Sequence, residues 1–213
     1  MQNSSNLCGE LHAWANSLEL HSFPYDESKI PVNGIYILFE KGELGHGGNR
    51  IVRIGTHTGN NQLRSRLRQH FLASNKDRSI FRKNIGRCLL NKTHDLYLPV
   101  WELDMTTKLA RDTHGKKLDN AKQKNIEQEI TAYMQKNFFF SVIQVGDKDE
   151  RLSLESKIIS TVSHCAECKP SKKWLGLFSP KEKIKESGLW LVNELYKEPL
   201  TSADLQNIKK TRG

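Results

Sequence analysis

Nowhere in the 213 residues does an apolar run approach the roughly 20 residues a bilayer span requires. Met1 to Phe23 lacks a basic start followed by an apolar stretch, so no secretory signal is expected and a cytoplasmic location is the default. There is no internal repeat and no low-complexity tract. Aromatic residues make up 8%, hydrophobic residues 37% and charged residues 27%, which is polar for a globular chain yet outside the disordered range. Cysteine is sparse: of Cys8, Cys88, Cys165 and Cys168, only the last two are neighbours, in His164-Cys165-Ala166-Glu167-Cys168. That is half of a zinc site. No second Cys/His pair follows at finger spacing; zinc could still be completed from elsewhere in the fold, but free thiols in a reducing compartment are the expectation.

Acid is missing from one long stretch. Between Arg50 and Lys92 stand eleven basic residues and a single acid, Asp77. The rest of the chain carries 22 basic against 23 acidic residues, so this segment holds the whole net charge of +9. A field concentrated in this way attracts polyanions, and counterion release from nucleic acid rewards it.

Apolar spacing predicts a helix over 7–20, then a turn-rich stretch with Pro24 and Pro31. Gly34 to Phe39 and Arg50 to Gly55 read as strands of an antiparallel hairpin. Between them, Lys41 to Asn49 holds four glycines and reads as a flexible turn. Further helices are expected over 61–72, through the basic stretch 78–92, over 120–137, from an Asp149 cap through Val162, and over 181–197 with Trp190 and Leu191 inward. Tyr97 to Leu103 reads as a short strand and Phe138 to Val145 as a third core strand. Pro170 to Pro180 reads as a loop, and 201–213 as a frayed tail. The order implies an α+β fold, a small antiparallel three-stranded sheet flanked by helices.

Four landmarks in this order carry chemistry. Gly34-Ile35-Tyr36 followed by Arg53-Ile54-Gly55 resembles the paired signature of the GIY-YIG nucleases. Leu63-Arg64-Ser65-Arg66-Leu67-Arg68-Gln69-His70-Phe71 looks like the helix that follows the second motif in that family. Glu155, on a helix just after an apolar strand, looks like its metal-binding glutamate. The resemblance covers roughly residues 31–176 and extends to bacterial members of restriction-enzyme size. It implies a Mg²⁺- (or Mn²⁺-) dependent endonuclease acting on DNA, with no organic cofactor and no membrane partner, and it allows a homodimer, since one such site cuts one strand at a time.

Phosphodiester hydrolysis asks for these residue types independently: a deprotonated water, neutralisation of charge on phosphorus and help for the leaving oxygen. One carboxylate, Glu155, can hold a Mg²⁺ that keeps most of its waters. Arg66 can fork onto the scissile phosphate, and Tyr36 can position the attacking water or take its proton. His70, one turn beyond Arg66, can relay a proton or bond the phosphate.

The sequence departs from the family pattern in three places. Arg53 stands where the second motif has a tyrosine, which rules out a two-tyrosine mechanism. Arg53 then contacts phosphate or stabilises the nucleophile, and His57 fills part of the lost role. The glycine-rich turn is longer than usual. Instead of an asparagine after the glutamate helix there is Pro170-Ser171-Lys172-Lys173-Trp174, where Lys173 or Ser171 could substitute. Candidate nucleic-acid contacts are Arg64, Arg68, Arg78, Arg82, Lys83, Arg87 and Lys173.

The expected organisation is an N-terminal helical extension (1–30), a nuclease domain (31–178) with a basic helical insertion at about 73–137, and a C-terminal helix and tail (179–213). Two alternatives stay open: a nucleic-acid-binding protein of this shape that has lost cleavage, and an RNA-processing nuclease.

Overall fold

A computed structural model describes residues 2–212, with side chains for 5–210. In chain order the elements are α1 (Gln2–Ser17), β1 (His21–Ser22), β2 (Gly34–Gly45), β3 (Gly48–Gly55), α2 (Leu63–Phe71), α3 (Ile80–Lys92), α4 (Leu98–Trp101), α5 (Lys108–His114), α6 (Asn120–Asn137), β4 (Phe138–Gln144), α7 (Lys148–Ser163), α8 (Glu182–Ser187) and α9 (Ser202–Arg212). Short 3₁₀ turns lie between several of them. The fold is α+β, with an antiparallel sheet in the order β1-β4-β2-β3. The two-residue β1 adds a fourth strand to the three expected.

β2 lies between β4 and β3 and is covered on both faces, which is why Gly34 to Phe39 reads as an unbroken apolar run. Ile35, Ile37 and Phe39 join a core with residues of α1, α7 and α9. Tyr36 and Leu38 point the other way, into a core with residues of α2, α3 and α6. A register shift makes Leu38 oppose Arg53 while Phe39 opposes Ile51, leaving Val52 as the bulged residue of β3. Opposite Leu38, Arg53 lies on the Tyr36 face by regular alternation, and the bulge puts Val52 on that face as well.

Both motif glycines have a steric reason. A Cβ on Gly34 would lie 2.2 Å from the Ile143 carbonyl oxygen of β4. On Gly55 it would lie 2.1 Å from the Tyr36 hydroxyl, because the phenol crosses β3 at that point.

Several expectations are corrected. The strands run on through the glycine-rich stretch and reverse at His46-Gly47, both at positive φ, as a two-residue hairpin turn demands. Residues 98–101 are a helical turn, with Pro99 near its start where a missing N–H costs nothing and Trp101 buried beneath it. Asp147, not Asp149, caps α7, accepting from the Glu150 N–H; Asp149 sits in the first turn. The helix expected over 181–197 ends at Ser187 because Gly188 takes the left-handed conformation that stops a helix. Trp190 is nonetheless fully buried. The tail is helical: Thr201 and Asp204 cap it reciprocally, and Leu205 and Ile208 are buried.

The largest correction concerns the basic segment. Arg82 on α3 is fully buried, bonded to Glu127 and Thr131 of α6 and to the His70 carbonyl. Arg87 pairs with Glu102, and Lys83 donates to the Glu102 carbonyl at 2.9 Å. Arg50 pairs with Glu43, and the buried Lys76 with Asp77. These cations are neutralised within the fold, and Arg82 also ties α3 to the end of α2 through the His70 carbonyl. No helix among the described residues is long and apolar enough to cross a membrane.

Candidate active site

Tyr36 is fully buried and at the centre of a hydrogen-bonded chain. Its hydroxyl lies 2.8 Å from His70 Nε2, and Arg53 Nε donates to it at 3.4 Å. His70 Nδ1 lies 2.8 Å from Ser79 Oγ, the N-cap of α3. Arg53 can only donate, so the phenol oxygen accepts from it. The phenol proton then finds its acceptor in His70 Nε2, and His70 Nδ1–H donates to Ser79. His70 is held neutral: burial, then the charges of Arg66, Arg53 and Arg82, push it well below the usual histidine range. Complete burial also keeps its ring away from any phosphate.

Arg53 is fixed on three sides. It donates to Tyr36 and to the Trp190 carbonyl, and its guanidinium lies 4.9 Å from the centre of the Phe81 ring. The Trp190 N–H in turn donates to the Val52 carbonyl at 2.8 Å, so the segment after α8 straps the outer edge of β3.

Two clefts adjoin this core. One, of about 350 Å³, is lined by Thr56, His57, Gln62, Ser65, Arg66 and Gln69. The other, of about 430 Å³, is lined by Arg53, Asn84, Glu155, Trp190 and Glu194 among others. Glu155 in the second hydrogen-bonds the Thr56 main chain in the first, so the clefts share that wall. Burial pushes the Glu155 carboxyl up to about 7, against the pull of Arg53, the Thr56 bond and Arg66; Glu194 adds to the rise. Arg66 is half-buried and donates to Gln69 and to the Arg78 carbonyl, which orients its guanidinium.

Tyr36, Arg53 and His70 are thus in direct contact, Glu155 shares a cleft with Arg53, and Arg66 lines the adjoining cleft. His57 also lies in the cleft wall, but its ring serves the backbone. Nδ1–H donates to the Gly59 carbonyl at 2.6 Å, and Nε2 accepts from the Gly34 N–H at 3.4 Å. Desolvation holds it below the usual histidine range, with Arg151 assisting and the Gly59 bond opposing. A ring committed in this way is no substitute for the missing tyrosine.

Of the anticipated nucleic-acid contacts, Arg78 is exposed, whereas Arg82, Lys83 and Arg87 are spent inside the fold. Arg64 donates to the Ile30 carbonyl, and Arg68 is paired with Glu27. Lys173 is exposed but lines a separate hollow with Glu40, Lys41 and Tyr133, and Ser171 bonds Glu43 there, so neither replaces the absent asparagine.

The Glu155 cleft also holds two polar residues outside the anticipated catalytic set. Asn84 is buried, with an amide Nδ2 that finds no hydrogen-bond partner. Glu194 is kept ionised by Lys197 and Ser156. Nothing in the sequence marks Glu194, which lies where a plain helix was expected.

The sheet carries Tyr36 and Arg53 on one face beside His70 of α2, while α7, packed on the other face, brings Glu155 to the Arg53 cleft. The family model described as GIY-YIG domain matches residues 11–211. This chain belongs to the GIY-YIG family, a family of nucleases acting on nucleic acids. No curated protein and no solved structure matches it.

Proposed function

We propose that the protein is a Mg²⁺- (or Mn²⁺-) dependent endonuclease hydrolysing DNA, with residues 31–178 as its nuclease domain and 73–137 as an insertion. The observation that carries the reading is a cleft lined by both Glu155 and Arg53, where Arg53 also donates to the Tyr36 hydroxyl of the Tyr36–His70 pair. Carboxylate oxygens suit a hard cation, and Glu155, with ionised Glu194 in the same cleft, offers them. When bound, the metal would neutralise developing charge and supply an activated water.

The chain's own residues supply the rest. Arg66 forks onto the scissile phosphate. Arg53, in the place of a second tyrosine, donates to the Tyr36 oxygen and stabilises negative charge there. Neutral His70 accepts the phenol hydrogen bond at Nε2 and donates from Nδ1 to Ser79, which fixes the orientation of the Tyr36 hydroxyl. The Asn84 amide is a spare donor for substrate at the same cleft. Exposed Arg78, beside Arg66, extends the phosphate-contacting surface. Phosphate contacts position a duplex without reading its sequence. Because one site cuts one strand, double-strand cleavage calls for two copies.

Plasmid DNA and short RNAs, incubated with Mg²⁺ or with EDTA, test the reading. We expect DNA cleavage with Mg²⁺ alone. Glu155→Gln, Arg66→Ala and Tyr36→Phe should each lower it by about 10²–10⁴-fold with duplex binding retained. Binding without cleavage under any divalent metal would leave a nucleic-acid-binding protein, and cleavage confined to RNA would move the substrate.

A further inference from the structure

On the opposite face of the sheet, four side chains from three separate segments converge. They are Cys8 in α1, His46 in the hairpin turn, and Cys165 and Cys168 just past α7. One ligand atom from each lies within 4.8 Å of all the others. Cys8 Sγ is 3.4 Å from Cys168 Sγ, and His46 Nε2 is 3.3 Å from Cys165 Sγ. A tetrahedron built on zinc–sulfur bonds of about 2.3 Å has sulfur–sulfur edges of about 3.8 Å, the scale seen here. A disulfide would bring two sulfurs to about 2 Å and leave the imidazole unexplained.

We propose that these residues form a structural zinc site of the Cys₃His type. Three thiolates and an imidazole are soft to borderline donors, which select zinc and do not suit Mg²⁺. All four positions are filled by protein and the cysteines are buried, so no coordination position is left for substrate.

The surroundings match. His46 occupies a left-handed position of a two-residue turn, where Asn or Gly is the usual choice, and from there its ring packs over Gly9 with Nε2 toward the sulfurs. Its other nitrogen, Nδ1, lies 3.6 Å from the Glu167 carboxylate, a partner that fixes the tautomer of a ligating histidine. His12 is close by but engaged: Nδ1–H donates to the Cys8 carbonyl at 2.9 Å, and Nε2 accepts from the Ile51 N–H at 3.1 Å. It is a neighbour of the site and not a ligand. The ion would tie α1 and the hairpin turn to the end of α7, the helix that carries Glu155. The sequence shows only the Cys165/Cys168 half, because Cys8 and His46 lie far from it along the chain.

The test does not depend on nuclease activity. Full-length protein, purified without chelator or metal-binding tag, is assayed for metal by mass spectrometry. We expect about one zinc per chain, released by a mercurial thiol reagent, with thermal stability lost as zinc leaves. Cys165→Ser and His46→Ala should each lower the zinc content. Because those variants could fail to fold, the wild-type protein is also exchanged with Co²⁺, which should give the absorption of tetrahedral thiolate-ligated cobalt. Metal-free protein that neither takes up zinc nor yields that spectrum would overturn the assignment. So would a Cys8–Cys168 disulfide in the native protein, or iron in place of zinc.

Discussion

Replacing Arg82 with methionine separates a cation that holds the fold from one that holds DNA. Arg82 makes five hydrogen bonds: Nε to Glu127 Oε2 at 3.0 Å, NH1 to the His70 carbonyl at 2.9 Å, and NH2 to Glu127 Oε2, the Glu127 carbonyl and Thr131 at 2.7, 2.9 and 2.7 Å. Arg82→Met leaves a Glu127 carboxylate that is 3% exposed with only its Oε1 bond to the Lys76 N–H. Stranding one partner of a buried pair costs about 3–5 kcal/mol. For a chain of this size each kcal/mol shifts Tm by roughly 2–4 °C, so the expected fall is about 6–20 °C by scanning calorimetry. Arg82→Met combined with Glu127→Leu should recover much of it, because no charge is then left unpaired. Duplex binding followed against salt should keep its slope in Arg82→Met, whereas loss of a phosphate contact lowers the slope by about one unit. A variant with unchanged Tm and a reduced slope would refute the structural role and restore Arg82 to the DNA surface.

Two further outcomes follow from the site. Below its unfolded value of about 6.5, His70 takes a proton in the unfolded chain but not in the native one, so stability falls as pH drops. Urea unfolding between about pH 6.5 and 4.5 should show His70→Gln with a slope shallower by roughly 1.4 kcal/mol per pH unit, and equal slopes would contradict a buried neutral imidazole. Gly55→Ala places a methyl against the Tyr36 hydroxyl and should cost about 1–3 kcal/mol and most of the cleavage; wild-type stability and rate would mean the phenol does not cross β3.

Local patterns were readable where they were self-contained. The strands about Tyr36 and Arg53 announce themselves by apolar runs bounded by glycine, and α6 falls on the expected residues 120–137 because its helix formers meet no breaker. The order of Tyr36, Arg66 and Glu155 along the chain was readable through the family pattern, not through spacing. Charge was misread because counting along the chain cannot see partners across it: Glu127 stands 45 residues from Arg82, and Glu102 stands 15 from Arg87. His57 looked available because nothing local predicts that the Gly34 N–H and the Gly59 carbonyl would claim its ring. Gly188 was a visible stop signal within the expected final helix, outvoted by the apolar spacing around it.

The strap at Trp190 ties chemistry to the timetable of synthesis. Arg53 is held by a carbonyl 137 residues downstream, and the exposed margin of β3 is covered by the same segment. A nascent chain on the ribosome can assemble the hairpin early, yet it lacks that anchor until residue 190 has emerged. Until then the hairpin lacks both the anchor of Arg53 and the cover of its β3 margin, so Arg53 is unseated and the sheet margin open to other chains.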